Sequence, residues 1–310
     1  MGIVGLARSM IHAGWIIRYD NTWHNELANY PTFGAKMKLQ FTNGYRPRFD
    51  QISRILQYLL AQGQVNKVSR PQIVSELGIP DRQAENLISM MTGFGLVNPR
   101  VTTLTPLGNA IVITDPYFER RETLWIIHYI VSSNSDYVVW YRIVNDILPF
   151  ETTLSVDQIS NQYFSDLNVH YSKRSVTEKL PKEVGAVLAA YSRSELAQLG
   201  LLIESGKGDF EKANPVEVPD LTFLFCLLYY RDHYSPGSTA ISNADVCQAE
   251  HSPGKVFNLP EYQVRATVER LHYAGLVRLE KLANLDQVRL SDDLTQEFVL
   301  ERLYGGTHAN

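Results

Sequence analysis

The stretch Arg70–Val112, "RPQIVSELGIPDRQAENLISMMTGFGLVNPRVTTLTPLGNAIV", decides how the rest of the chain is read. Ser69 is an N-cap candidate and Pro71 sits just inside the helix that follows, where a missing N–H costs nothing. Gly78 closes that helix, and a second one begins near Asp81. Leu87, Ile88 and Met91 recur on its inner face, whereas Arg82, Gln83, Asn86 and Ser89 fall on the other side. The segment from Leu96 to Ile113 alternates like a hairpin, with Asn98-Pro99-Arg100 near its turn. Two short helices and a hairpin make a winged helix, whose second helix is placed to enter a major groove.

The same plan is legible elsewhere. Upstream, Phe49, Ile52, Ile55, Leu56, Leu59 and Leu60 mark one apolar helix face that ends near Gly63. In the C-terminal third, helical patterns at 221–234, 242–249 and 259–275 precede a hairpin at 276–292. The middle is helical, and "LAQLGLLIESGKGDFEKA" reads as strand, turn and return strand, the end of a degenerate winged helix. The expected fold is therefore α+β and mainly helical, with tandem winged-helix units joined by a helical middle region. The expected divisions are an N-terminal arm over 1–35, a winged helix over 36–116, a helical middle domain over 117–215 and a winged-helix-like domain over 216–310.

Composition sets limits on function. The 310 residues are 45% hydrophobic and 20% charged, ordinary for a globular protein, and carry a net charge of −4. That excludes a uniformly basic nucleic-acid coat but not a basic face. Residues 36–102 hold nine basic against four acidic residues, and residues 169–193 hold five against two. The intervening and following segments are acidic. Cys226 and Cys247 are far apart and make no metal-ligand spacing, so a reducing cytoplasm is expected. The apolar opening "MGIVGLARSMIHAGWII" is broken by Arg8 and His12 and is too short for a membrane span. No membrane association is expected.

The DNA-contact expectation follows from residue chemistry. Arg, Gln and Asn are the side chains that read guanine and adenine edges, which singles out Arg82, Gln83, Asn86, Ser89 and the wing residue Arg100. Lys67 and Arg70 would hold phosphates. Lys173, Arg174, Lys179 and Lys182 recur at helical spacings and form a second candidate phosphate strip, or a solubilising face neutralised by Glu178 and Glu183. The C-terminal helix carries Tyr262, Gln263 and Arg265 beside Glu261 and Glu269, which favours docking of a protein or a second copy.

No catalytic, metal or cofactor motif is found. Cys-x-x-Cys, His-Glu-x-x-His and Gly-x-Ser-x-Gly are absent, and "SGKGDFEK" lacks the strand–loop–helix setting of a phosphate-binding loop. A non-enzymatic protein without cofactor is expected.

"TPLGNAIVITDPYFERRETLWIIHY" carries a resemblance to the bacterial family catalogued as domain of unknown function 4007. The matching pieces are Thr105-Pro106-Leu107-Gly108, Asp115-Pro116-Tyr117 with Glu119, and Thr123-Leu124-Trp125 with His128-Tyr129. Further similarity lies in "SELAQLGLLIES" and "SPGKVFNLPEYQV". The resemblance implies a soluble bacterial protein encoded beside DNA phosphorothioation-type sulfur-transfer and ATPase genes in phage-defence islands. The family's Phe-x-x-His-Glu-Thr-Phe opening is replaced here by "PTFGAKMKLQFTNGYRPRF", so nothing assigned to that His-Glu pair carries over. Within the motif, Asp115, Pro116, Tyr117, Trp125 and His128 read as structural, His128 as a satisfied, partly buried histidine.

The reading is a non-catalytic accessory that binds double-stranded DNA and partner proteins of a modification or defence complex. Two alternatives stay open: a scaffold whose winged helices only dock proteins, and a dimeric regulator of its own operon.

Overall fold

A computed structural model describes residues 37–63, 67–99, 102–282 and 285–305. The expected N-terminal arm and Arg100 lie outside the described residues. Helix α1 (Phe49–Gln62) buries Phe49, Ile52, Ile55, Leu56 and Leu59, the face expected from its periodicity, while Leu60 in its last turn stays partly exposed. After α1, Val68 contributes a bridge residue, and α2 (Arg70–Leu77) begins in a capping box between Ser69 and Gln72. Gly78, at φ +63°, ends α2 in the left-handed conformation that a side chain disfavours. Helix α3 (Asp81–Gly93) follows at once.

The hairpin expected over 96–113 is shorter than its alternation suggested. Among the described residues only single bridges form, Val97 with Leu104 and Val68 with Thr102, and the chain then turns into α4 (Pro106–Thr114). Thr105 caps α4 by accepting a hydrogen bond from the Gly108 N–H at 2.9 Å, with Pro106 in the first turn. A capping threonine followed by proline outweighs the alternation. Gly108 is required by close approach: a Cβ there would sit 2.0 Å from the Leu96 carbonyl oxygen.

Helix α5 (Arg121–Ser133) is buried on every side from Thr123 onward and packs against several later helices. Helix α6 (Val138–Arg142) runs on through a π-helical turn at Ile143–Ile147 to β1 (Thr153–Ser155) and α7 (Val156–Gln162). A second π-helical turn, Ser175–Lys179, leads into α8 (Leu180–Arg193). Strands β2 (Leu202–Gly206) and β3 (Asp209–Lys212) are the expected hairpin, and β3 lies between β1 and β2.

Helix α9 (Asp220–Tyr234), β4 (Ala240–Ser242), α10 (Asn243–Gln248), the short α11 (Pro253–Val256) and α12 (Glu261–Tyr273) come next. They are followed by β5 (Arg278–Leu282) and β6 (Leu285–Arg289), with β6 between β4 and β5. Finally α13 (Gln296–Tyr304) packs on α4 and α9.

One connectivity thus occurs three times: helix, extended segment, two helices, then two extended segments of which the last lies in the middle. It uses α1, Val68, α2 and α3 with the bridges at 97–104; then α6, β1, α7 and α8 with β2–β3; then α9, β4, α10 and α12, with the one-turn α11 inserted between those two helices, and β5–β6. The chain is α+β and mainly helical, with small antiparallel sheets. A single cluster of buried side chains, including Phe94, Trp125, Trp140, Tyr191, Phe223 and Val268, draws on all three sets. Among the described residues no helix is long and apolar enough to cross a membrane.

Candidate nucleic-acid interface

Helix α3 was expected to present Arg82, Gln83, Asn86 and Ser89 together. Arg82 is exposed, and Gln83 and Ser89 are half-buried. Asn86 is not on that face. It is buried, and its Nδ2 donates to the Thr42 carbonyl at 3.0 Å while its Oδ1 accepts from Asn43 Nδ2 at 3.0 Å. A buried amide with both ends engaged is held there by the cost of leaving them unpaired. Lys67 is exposed. Arg70 turns back onto its own unit, meeting Asp81 at 3.0 Å and Glu85 at 3.2 Å, so its charge is largely cancelled beside α3.

The second basic cluster surrounds the start of α8. Lys173, Arg174, Lys179 and Lys182 are all exposed. They do not form the single 3.6-residue strip expected, because the π-helical turn at Ser175–Lys179 intervenes. Arg174 pairs with Glu178 at 3.0 Å. Glu183, expected to neutralise this face, is buried instead. Its Oε1 accepts from the Phe41 and Thr42 N–H groups at 2.9 and 2.6 Å, and its Oε2 from the Gly44 N–H at 3.1 Å. Burial raises its pKa, and these donors oppose the rise.

The segment "FTNG" (Phe41–Gly44) is therefore stapled from two sides. The Thr42 carbonyl is held by α3 and the Thr42 N–H by α8. Asn43 and Gly44 adopt φ values of +53° and +78° to make the turn. Beyond it, Arg46 Nη1 donates to the Arg193 carbonyl at 2.7 Å, at the far end of α8. Upstream, Tyr171 Oη donates to the Met37 carbonyl at 2.5 Å. No local pattern pointed to Glu183 or the 41–44 turn. The only sequence hint was Asn43-Gly44, a dipeptide suited to left-handed backbone.

Of the motif residues, Asp115, Trp125 and His128 are buried, and Pro116 and Tyr117 lie on the turn before α5. Asp115 is buried, and its carboxylate accepts from the Glu119 and Arg120 N–H groups at 2.8 and 3.2 Å, closing the turn before α5. Pro116 is half-buried and Tyr117 is exposed on that turn. Trp125 is buried edge-on to His128 and Phe257. His128 is fully enclosed: Nδ1 lies 2.7 Å from Tyr191 Oη, and Nε2 3.4 Å from the Val256 carbonyl. A carbonyl only accepts, so Nε2 carries a proton, and burial keeps the ring neutral by disfavouring a second proton on Nδ1. Burial lowers its pKa to about 3.

The α12 face differs from α3. Arg265 is engaged by Glu261 at 2.7 Å and Asp286 at 2.8 Å, and Lys281 by Glu269 at 3.0 Å. Tyr262 and Tyr273 are 69% and 85% exposed. Cys226 and Cys247 are both free and buried. Among the described residues, no group of three or more His, Cys, Asp or Glu side chains is placed to hold a metal ion.

The family described as Protein of unknown function (DUF4007) matches residues 83–304. The chain belongs to this family. Gly108 and Gly254 of this DUF4007 protein lie in the Thr-Pro-Leu-Gly and Ser-Pro-Gly pieces. Both begin capped helices at close backbone approaches, since a Cβ on Gly254 would sit 2.6 Å from the Val246 and Cys247 carbonyl oxygens. No curated protein matches the chain. Its fold is similar to that of the magnesium ion-bound SspB crystal structure, with TM-score 0.67 and 18% identity over 87% of this chain and 88% of that one. It is likewise similar to a second SspB crystal structure, with TM-score 0.68 and 16% identity over the same shares. At these identities the likeness is one of fold.

Proposed function

We propose that this DUF4007 protein is a non-catalytic, DNA-binding accessory of a bacterial DNA-modification or phage-defence system, of the phosphorothioation type. In this reading the thrice-repeated connectivity is a winged helix, and the first unit holds double-stranded DNA with α3 as its recognition helix. The observation that carries it is the position of Arg82. It is exposed on the third helix of a unit whose last extended segment lies between the other two. The fold likeness to SspB and the family membership support the context.

A second role is favoured at the other end of the chain. The charges of α12 are paired within the helix or with residues of β5, β6 and α9, while Tyr262 and Tyr273 stand in solvent. That chemistry suits a protein partner or a second copy of this chain, since tyrosines supply contact area with a polar tip and few rotamers to freeze. A scaffold that docks proteins through all three units is the competing reading.

Fluorescence anisotropy with labelled duplex DNA at several salt concentrations tests the proposal. Affinity is expected to fall with salt, because each neutralised phosphate releases counterions. Arg82→Glu is expected to cost about 1–3 kcal/mol of binding or more. Salt-independent binding, or an Arg82→Glu variant that binds as well as the parent, refutes the DNA reading and favours the scaffold. Nicking of supercoiled plasmid in the presence of magnesium would overturn the non-catalytic part.

A further inference from the structure

The α3 face by itself is electrostatically poor. Arg70 is spent on Asp81 and Glu85, which leaves Arg82 as the exposed cation on α3 itself. Duplex DNA is held mainly by phosphate neutralisation, so a helix that offers one unpaired cation among the described residues holds it weakly by itself. The missing charge lies at the start of α8. Lys173, Lys179 and Lys182 are exposed, and none of them forms an ion pair among the described residues.

These two surfaces are fixed to each other. Thr42 is bonded through its carbonyl to Asn86 of α3 and through its N–H to Glu183 of α8. Arg82 lies one helical turn before Asn86 on α3, and Lys182 is the residue next to Glu183 on α8, so each helix carries an exposed cation within a turn of the buried residue that holds the 41–44 segment. Gly44 sits directly against Lys182: a Cβ on Gly44 would lie 3.0 Å from the Lys182 Cβ. Tyr45, next in the turn, is 60% exposed. A buried carboxylate is an expensive staple, and here it receives three backbone N–H groups from one short turn.

We infer that α3 and the basic start of α8 bind one DNA duplex as a single rigid surface, with Lys179, Lys182 and Tyr45 as phosphate contacts beside Arg82. The third helices of the first and second units thus act together, and the Phe41–Gly44 turn sets their spacing. Lysines hold phosphates as point charges, and the tyrosine hydroxyl donates to a phosphate oxygen. This inference rests on the DNA reading above.

The test uses the full chain and labelled duplexes, with salt varied. Three variants are compared: Arg82→Glu, the double reversal Lys179→Glu with Lys182→Glu, and Tyr45→Ala. All the side chains are exposed, and unfolding midpoints serve as the folding control. The double reversal is expected to make the slope of log affinity against log salt shallower by about 2. Tyr45→Ala is expected to weaken binding without changing that slope, because no charge is removed. If the double reversal keeps the parent's affinity and slope while Arg82→Glu weakens binding, the composite surface is refuted and the DNA reading stands. If the parent fails to bind duplex DNA in a salt-dependent way, both fall.

Discussion

His128 gives the sharpest test of the structure. The perturbation is acidification from pH 7 to pH 5. The imidazole is completely enclosed, its pKa is about 3 in the fold, and the ordinary value is 6.5. Below pH 6.5 the unfolded chain binds a proton that the folded chain refuses, so stability falls as the pH falls toward 3. Each pH unit in that window costs about 1.4 kcal/mol, so by pH 5 the loss from this residue is about 2 kcal/mol. That is a large share of the roughly 5–15 kcal/mol that stabilises a typical domain. The carboxylates whose pKa values are held low, such as Asp50 and Glu280 at about 2, are still ionised at pH 5 and add little. His251 is also lowered by burial and acts in the same direction. The His128 contribution is therefore read as a difference between the parent and His128→Gln. Urea unfolding at pH 7, 6 and 5 is the assay. The parent is expected to lose about 2 kcal/mol more than the variant over that range, whatever the variant's starting stability. Equal pH slopes in the two proteins, or an imidazole that titrates near 6.5 in the native NMR spectrum, would refute the reasoning. Either result would also reopen a chemical role for this motif histidine.

Other outcomes follow from single contacts. Gly108→Ala and Gly254→Ala are each expected to destabilise by about 1–3 kcal/mol or more, seen as lowered melting temperatures, because the new methyl meets backbone oxygen rather than a movable side chain. Asn86→Ala leaves the buried Thr42 carbonyl without this donor and is expected to cost about 1–3 kcal/mol. Faster amide exchange at Asn43 and Gly44 would confirm that the loss is local to the turn. Cys226, buried with a thiol pKa raised well above the usual range, is expected to resist thiol reagents until the protein is unfolded.

Local chemistry made much of the fold legible. The capping box at Ser69 and the left-handed Gly78 delimit α2 as the sequence suggested. The hairpin at β2–β3 and the succession α9, α10, α12, β5, β6 appear where periodicity and turn residues placed them. The exception within reach of local reasoning was α4. There the Thr105-Pro106 start signal competes with an alternating pattern, and the cap prevails. The candidate site was legible only in part. Exposure of Arg82, Lys179 and Lys182 follows from helix periodicity and charge.

The sequence by itself determined which segments coil, where they stop and which ones carry positive charge, because caps, turns and amphipathic faces act over a few residues. It also carried the family likeness, spread over motifs that prove to be turns, caps and the buried helix α5. Only the tertiary structure decided the fate of Asn86, Glu183 and Arg70. Asn86 and Glu183 are drawn inward by a turn that lies 44 and 141 residues away in the chain. Arg70 is drawn onto the acids of the next helix. A polar side chain on a helix looks the same in sequence whether it faces water, DNA or a buried backbone. What separates these outcomes is the desolvation of the partner that packs over it, and that partner arrives only when distant segments meet.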